Sequence, residues 1–272
     1  MPVLDVLHLQ KTYASKFTHI KTEALRDLTF HVQSGEFVAI MGESGSGKTT
    51  LLNLLAGLDS PTGGQILVDG IDLHALSSRK RTAFRRNQLG IVFQDYSLLE
   101  TFSLRDNIAL PLKLNNEKNE AIQEKIDLLA RTMHIETILD KYPDEVSGGQ
   151  KQRAAVARAL ITGPQLLLAD EPTGALDSFA SRELLELFAR LNANGQTIVM
   201  VTHSAAAASF AQRVLVVEDG QIIHELQRGA QSQESFYTQI NRMLMLFSQP
   251  DQPVSGREEN ASRMLLSEEM TP

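Results

Sequence analysis

Phe37-Val38-Ala39-Ile40-Met41-Gly42-Glu43-Ser44-Gly45-Ser46-Gly47-Lys48-Thr49-Thr50-Leu51-Leu52-Asn53-Leu54-Leu55 is the stretch on which the fold turns. The apolar run 37–41 reads as a buried strand, and the leucine-rich run 51–55 as the first turns of a buried helix. Between them stands G-x-x-x-x-G-K-[ST], the spacing of a phosphate-binding P-loop. Each residue type has a physical reason. The glycines let the backbone wrap tightly and turn its N–H groups inward on an anion. The helix N-terminus brings a positive dipole end to the same place. Lys48 adds a full charge at the terminal phosphates, and the Thr49 hydroxyl can ligate magnesium there. The nine residues Gly42, Glu43, Ser44, Gly45, Ser46, Gly47, Lys48, Thr49 and Thr50 are therefore the expected phosphate cradle. By themselves they say nothing of what a nucleotide's energy is used for.

Outward from this stretch, apolar runs recur. Leu89–Phe93, Leu166–Ala169 and Thr197–Val201 read as buried strands separated by helical patterns. That alternation predicts an α/β fold with a mainly parallel sheet covered on both faces. Before the P-loop, Val3–Leu9 and Leu28–Gln33 read as strands of an N-terminal antiparallel part, with the polar stretch Ala14–Glu23 between them. Residues from about 95 to 160 carry no strand signal. Ile122, Ile126, Leu129 and Met133 fall at helical spacing, so this region is expected to be a helical insertion between two strands. Asp69-Gly70 and Asp219-Gly220 read as hairpin turns. The basic run Arg79-Lys80-Arg81 with Arg85-Arg86 reads as a solvated helix face, with an anionic lipid or acidic partner as the functional alternative. Phe236, Tyr237, Ile240, Met243, Leu244 and Phe247 share one helical face. A folded unit is expected over residues 1–247 and a disordered acidic tail over 248–272.

The polar residues after the strands share one edge. Gln94, Asp170-Glu171 and His203 each follow a strand's C-terminal end, where open α/β sheets bind ligands. Asp170 can hold a magnesium ion beside Thr49, with Gln94 as a further ligand or a water-orienting amide. Glu171 can deprotonate the attacking water. His203 can bond the γ-phosphate, and the Tyr13 ring can stack on a base. Ser147-Gly148-Gly149-Gln150 opens an alanine-rich helix and builds a second anion cradle, in the helical insertion. One phosphate needs no second cradle. The economical arrangement is a two-fold pair in which each P-loop faces the partner's Ser147 loop, so that two sites close around ATP.

Composition narrows the function. The chain has 272 residues, 42% hydrophobic and 22% charged, with a net charge of −7. An acidic balance argues against nucleic acid as the main partner. There is no cysteine, which excludes disulfides and thiolate metal sites and fits a reducing compartment. Residues 1–25 lack the pattern of a signal peptide. No apolar run approaches the roughly 18 residues of a membrane span, so membrane work would need another chain.

With these residues in place, the chain resembles the ATPase subunit of ABC transporters along nearly all of residues 1–247. Tyr13 matches the adenine-stacking loop, Gly42–Thr49 the Walker A loop, Gln94 the Q-loop, and Val146–Gln150 the signature. Leu166–Asp170 with Glu171 matches Walker B and its catalytic glutamate, Ala175-Leu176-Asp177 the D-loop, and His203 the switch histidine. Val146 stands where the family most often has leucine, a position that does not touch phosphate. The resemblance implies ATP and magnesium as cofactors and Glu171, His203, Gln94 and Lys48 as catalytic residues. It adds Asp177 to the nucleotide contacts and Thr49, Gln94 and Asp170 as the metal's holders. It also implies an ATP-sandwich homodimer and a separate transmembrane permease, at the cytoplasmic face of the bacterial membrane. The Ala14–Glu23 segment is similar to the subfamily of macrolide exporters and lipoprotein-release ATPases. Phe93–Leu99, Asp144-Glu145 and Phe236-Tyr237 look closer to the Bce-type bacitracin-resistance group, which removes peptide antibiotics and signals with a sensor kinase. Lipoprotein release, macrolide export and a non-transport regulatory ATPase stand as the alternatives.

Overall fold

The computed structural model describes residues 2–14 and 21–247. The tail expected from Ser248 onward and most of the Ala14–Glu23 stretch lie outside the described residues. In chain order the strands and helices are β1 (Pro2–Ala14), β2 (Lys21–Gln33), β3 (Phe37–Met41), α1 (Lys48–Leu55), β4 (Gly63–Val68), β5 (Ile71–Asp72), α2 (Ser78–Gln88) and β6 (Leu89–Val92). They continue with α3 (Leu104–Leu114), α4 (Asn119–Met133), α5 (Gly148–Leu160), β7 (Leu166–Asp170), α6 (Ser178–Ala193), β8 (Thr197–Thr202), α7 (Ala205–Ala208), β9 (Arg213–Glu218), β10 (Gln221–Gln227) and α8 (Gln233–Phe247).

Six strands form the central sheet in the order β10-β9-β3-β8-β7-β6. All neighbours are parallel except β10, which returns antiparallel from β9 through the Asp219-Gly220 turn. The P-loop strand β3 sits inside this sheet, with β8 on one side and β9 on the other. Alternate residues explain why both faces are covered. Phe37, Ala39 and Met41 belong to a core shared with α3, α4, α5, α6 and α8, whereas Val38 and Ile40 belong to a second core shared with α1, β1 and β2. All five are at most 1% exposed, as a strand buried on both faces requires.

The antiparallel sheet has the order β2-β1-β4-β5 and closes the second core. Its strands exceed the expected lengths. β2 begins at Lys21, well before Leu28, and β1 runs unbroken to Ala14. The reason is a pair of irregularities that break the period of two. His8 and Asp27 both have left-handed backbones, at φ 49° and 61°, and the ladder shifts register around them. The buried residues Leu25 and Leu28 are consequently three apart.

The helical insertion forms as expected, with α3, α4 and α5 between β6 and β7. Ile122, Ile126 and Met133 are buried and Leu129 packs against them. In α8, Phe236, Ile240 and Met243 are buried, while Tyr237 stands 42% exposed at the edge of the stripe. The basic helix α2 buries no residue, but Arg85 Nη1 donates to Gly57 O at 3.1 Å, which ties it to the end of α1. Among the described residues no helix is long and apolar enough to cross a membrane.

Candidate active site

The P-loop backbone shows why glycine stands at its two ends. A side chain on Gly42 would place its Cβ 2.1 Å from Val217 O, and one on Gly47 would reach 2.4 Å from Ala24 O. Gly47 is also left-handed, at φ 99°, and serves as the N-cap of α1 with no side chain capping the helix. The first turn is thus presented to a ligand rather than to the protein's own oxygen atoms. Lys48 is 7% exposed, its Nζ donating to Gly42 O at 2.8 Å and Glu43 O at 2.6 Å. Burial pulls its ammonium below the usual lysine range, against the opposing charges of Glu171, Asp170 and Glu43. Thr49 is exposed in the same turn.

Asp170 ends β7, two strands away from β3 with β8 between. Its Oδ1 is buried without a hydrogen-bond partner. Burial raises the Asp170 carboxyl above its usual range, the Glu171 charge adds to this, and Lys48 opposes it. A buried carboxylate oxygen with no partner is what a bound cation would satisfy. Among the described residues no three His, Cys, Asp or Glu side chains gather into a metal cage. The oxygen donors of Thr49 and Asp170 suit magnesium, which is commonly held by one or two protein groups together with substrate phosphates.

Glu171 follows with a left-handed backbone at φ 43°, uncommon for a residue with a side chain. Two backbone bonds hold it there, Glu171 N–H to Val201 O and Gly174 N–H to Glu171 O, each at 2.9 Å. The Glu171 Oε1–His203 Nδ1 distance is 2.8 Å. The histidine is largely exposed and the glutamate largely buried. The two residues therefore meet although 32 positions separate them. They line a cleft of about 740 Å³ that runs past Ser178 and Arg182 to Tyr237 of α8. The P-loop is not among that cleft's walls.

Gln94, Asp177 and the Ser147 loop gather around the segment that follows Glu171, whereas Tyr13 lies apart. Gln94 is exposed, and its amide packs on Gly174, where a Cβ would meet Nε2 at 2.8 Å. Asp177 Oδ1 accepts from Ala180 N–H at 2.8 Å and so caps α6. Ser147 caps α5 in a reciprocal box with Gln150. The neighbours of Gly148 and Gly149 are Tyr96, Leu176 and Ala180, with no P-loop atom among them. Within one chain the second cradle thus adjoins the Asp177 loop. Tyr13 is 43% exposed and donates its hydroxyl to Asp59 Oδ2 at 2.9 Å.

Two supporting residues escape a reading of motifs. Gln152 is fully buried, donating to Pro172 O at 2.8 Å and to Phe93 O at 3.4 Å, so α5 is tied both to the Glu171 loop and to the residue before Gln94. Arg158 holds the left-handed pair Tyr96-Ser97 by its carbonyls, at 3.1 and 2.6 Å. A glutamine and an arginine inside an alanine-rich helix were the available signal.

Comparison with known proteins agrees with this geometry. The ABC transporter family profile matches residues 25–174. The chain is 45% identical over 245 residues to the ABC transporter ATP-binding protein YxdL of Bacillus subtilis (strain 168), covering 90% of this chain and 94% of that one. It is 44% identical over 241 residues to the bacitracin export ATP-binding protein BceA of Halalkalibacterium halodurans, covering 88% and 94%. Among solved structures, dimeric MJ0796, a bacterial ABC transporter cassette, superposes with a TM-score of 0.76 at 35% identity, covering 82% of this chain and 98% of that one. A second dimeric form of MJ0796, in a post-hydrolysis state with ADP and Pi, matches equally.

Proposed function

We propose, from the premise that the chain belongs to the ABC transporter family as one of its ATPases, that it works as an ATP-closed pair driving a separate permease in resistance to, or sensing of, antimicrobial peptides. The observation that carries the pairing is that Gly148 and Gly149 adjoin Tyr96, Leu176 and Ala180, beside the Asp177 loop. A cradle so placed is free for the nucleotide held by a second copy, and the similar cassette MJ0796 is dimeric. The peptide-antibiotic reading is supported by the likeness to a bacitracin export protein and by Phe93–Leu99. A permease would supply the membrane spans, which places the ATPase at the cytoplasmic face; a sensor kinase would be reached only through that partner. Residues 1–247 act as one ATPase unit with the helical part near 95–160 as its lever.

In the hydrolytic step Glu171 accepts the proton of the attacking water, and His203, 2.8 Å away, holds its carboxylate in place and faces the transferring phosphoryl group. Lys48 neutralises the terminal phosphates, and the N–H groups of Gly42–Thr50 bind their oxygens. Tyr13 takes the adenine. Thr49, Asp170 and Gln94 would hold magnesium, which would neutralise phosphate charge when bound.

Glu171→Gln tests the centre of this reading. The variant should bind ATP with wild-type affinity while releasing phosphate at least about 100-fold more slowly, the low end for a lost general base. Turnover within a few-fold of wild type would remove Glu171 from the role.

A further inference from the structure

Lys11 is 8% exposed, an unusual burial for a lysine on a strand. Its stability there depends on partners, because an unpaired buried ammonium is costly. Nζ donates to Asp59 Oδ1 at 2.8 Å and to Ser60 O at 2.7 Å. It also lies 4.7 Å from the centroid of the Tyr13 ring, within cation–π range. The other Asp59 oxygen accepts the Tyr13 hydroxyl at 2.9 Å, and Ser60 N–H bonds Asp59 Oδ1 at 2.7 Å. Burial alone would raise the Asp59 carboxyl, but the bonds from Lys11, Ser60 and Tyr13 outweigh it and hold the group below the usual carboxylate range.

The cluster is anchored at two places on the nucleotide-binding elements. Lys11 and Tyr13 are two apart on β1 and share a face. Lys11 stands opposite Leu25 of β2, whose neighbour Ala24 presses its carbonyl against Gly47. Asp59 follows α1, and its N–H bonds Asn53 O within that helix. A tyrosine 43% exposed near the end of a strand would otherwise be free to turn, and ordering it on binding would weaken affinity.

We propose that Lys11 and Asp59 are positioning residues that fix the Tyr13 ring, backed by the lysine ammonium, as a ready platform for the nucleotide's base. This rests on Tyr13 being the base-stacking residue. The clamp acts on the base and not on the phosphates, because the side-chain bonds of Lys11, Tyr13 and Asp59 run among themselves and to Ser60 rather than to the phosphate loop. It therefore changes affinity for ATP while leaving affinity for a baseless polyphosphate alone.

The test compares ATP with inorganic tripolyphosphate on the full chain carrying Tyr13→Leu, Tyr13→Phe, Asp59→Ala or Asp59→Glu. Tyr13→Leu should raise the KM for ATP about tenfold, as the loss of one base–aromatic stack does. Tyr13→Phe and Asp59→Ala should raise it about threefold with kcat within about twofold, the pattern of lost uniform binding. Asp59→Glu should recover most of the loss, and tripolyphosphate inhibition should be unchanged throughout. If Tyr13→Leu raises KM while Tyr13→Phe and Asp59→Ala do not, the clamp is overturned and the base reading survives. If Tyr13→Leu is silent, both fall. Parallel loss of tripolyphosphate affinity would overturn the clamp as a base device. Should Asp59→Ala fail to fold, Tyr13→Phe, which removes one hydroxyl, carries the same decision.

Discussion

Two helices in this molecule begin beside glycines, and they are set in opposite ways. At α1 the N-cap is Gly47, left-handed, with no side chain closing the end, and its missing Cβ would collide with the backbone oxygen of Ala24. At α5 the N-cap is Ser147 in an ordinary extended conformation, and its side chain and that of Gln150 close the end reciprocally. The missing Cβ of Gly148 would meet side-chain atoms alone, the nearest being the hydroxyl tip of Tyr96 at 2.8 Å. The first end has no side-chain cap and is left open to a ligand or solvent. The second is already closed by its own side chains, with Ser147 exposed. Two glycine-flanked helix starts thus differ in what completes them: one is left open, the other is closed from within.

The comparison can be broken by substitution. The largest effect is expected from Lys48→Ala, which should weaken ATP binding by about 100-fold or more, since it removes a buried charge from the open end. Titration calorimetry with a non-hydrolysable ATP analogue reads this directly, and unchanged binding would dismiss the P-loop as the phosphate site. Gly47→Ala comes next. A left-handed alanine against a fixed carbonyl should lower stability by about 2–3 kcal/mol in urea unfolding, as strained backbones do. The same change at Gly148 should cost less than about 0.5 kcal/mol, because Tyr96 can move aside. Equal losses at the two glycines would contradict the distinction drawn between them. Ser147→Ala should lower stability by about 1 kcal/mol, the cost of a lost cap, and its effect on ATP binding should be the smallest of all. ATP binding by a single chain should be unaffected while phosphate release by the pair falls. A Ser147→Ala protein that binds ATP as poorly as Lys48→Ala would mean that both ends serve one nucleotide within one chain.

Much of this was legible because the decisive signals are local. Residues 37–55 carry strand, loop and helix in one continuous pattern, and Asp170-Glu171 and His203 each end an apolar run, so the sheet edge could be assembled from spacing alone. What stayed hidden depends on partners far along the chain. The length of β2 is masked by Asp27, whose left-handed backbone resets the alternation of buried residues. The burial of Lys11 depends on Asp59, 48 positions on, which nothing near Lys11 in the sequence signals. The burial of Gln152 follows from carbonyls at Phe93 and Pro172, neither of which its own helix reveals. Asp177, expected at the nucleotide, caps α6 within its own chain, a contact that its place before Ser178 already allowed.

The position of β3 has a consequence in time. Phe37 lies beside Ile198, and Val38 beside Arg213, so neither edge of the P-loop strand is paired by anything made before it. During synthesis the nucleotide-binding loop emerges early, on a strand packed against β1, β2 and α1 but whose two ladder partners, β8 and β9, come much later in the chain. Such distant pairings close late, because a long loop must first lose its freedom. Ribosomal pausing ahead of β8 would leave the apolar strand exposed, where chaperones or aggregation decide its fate.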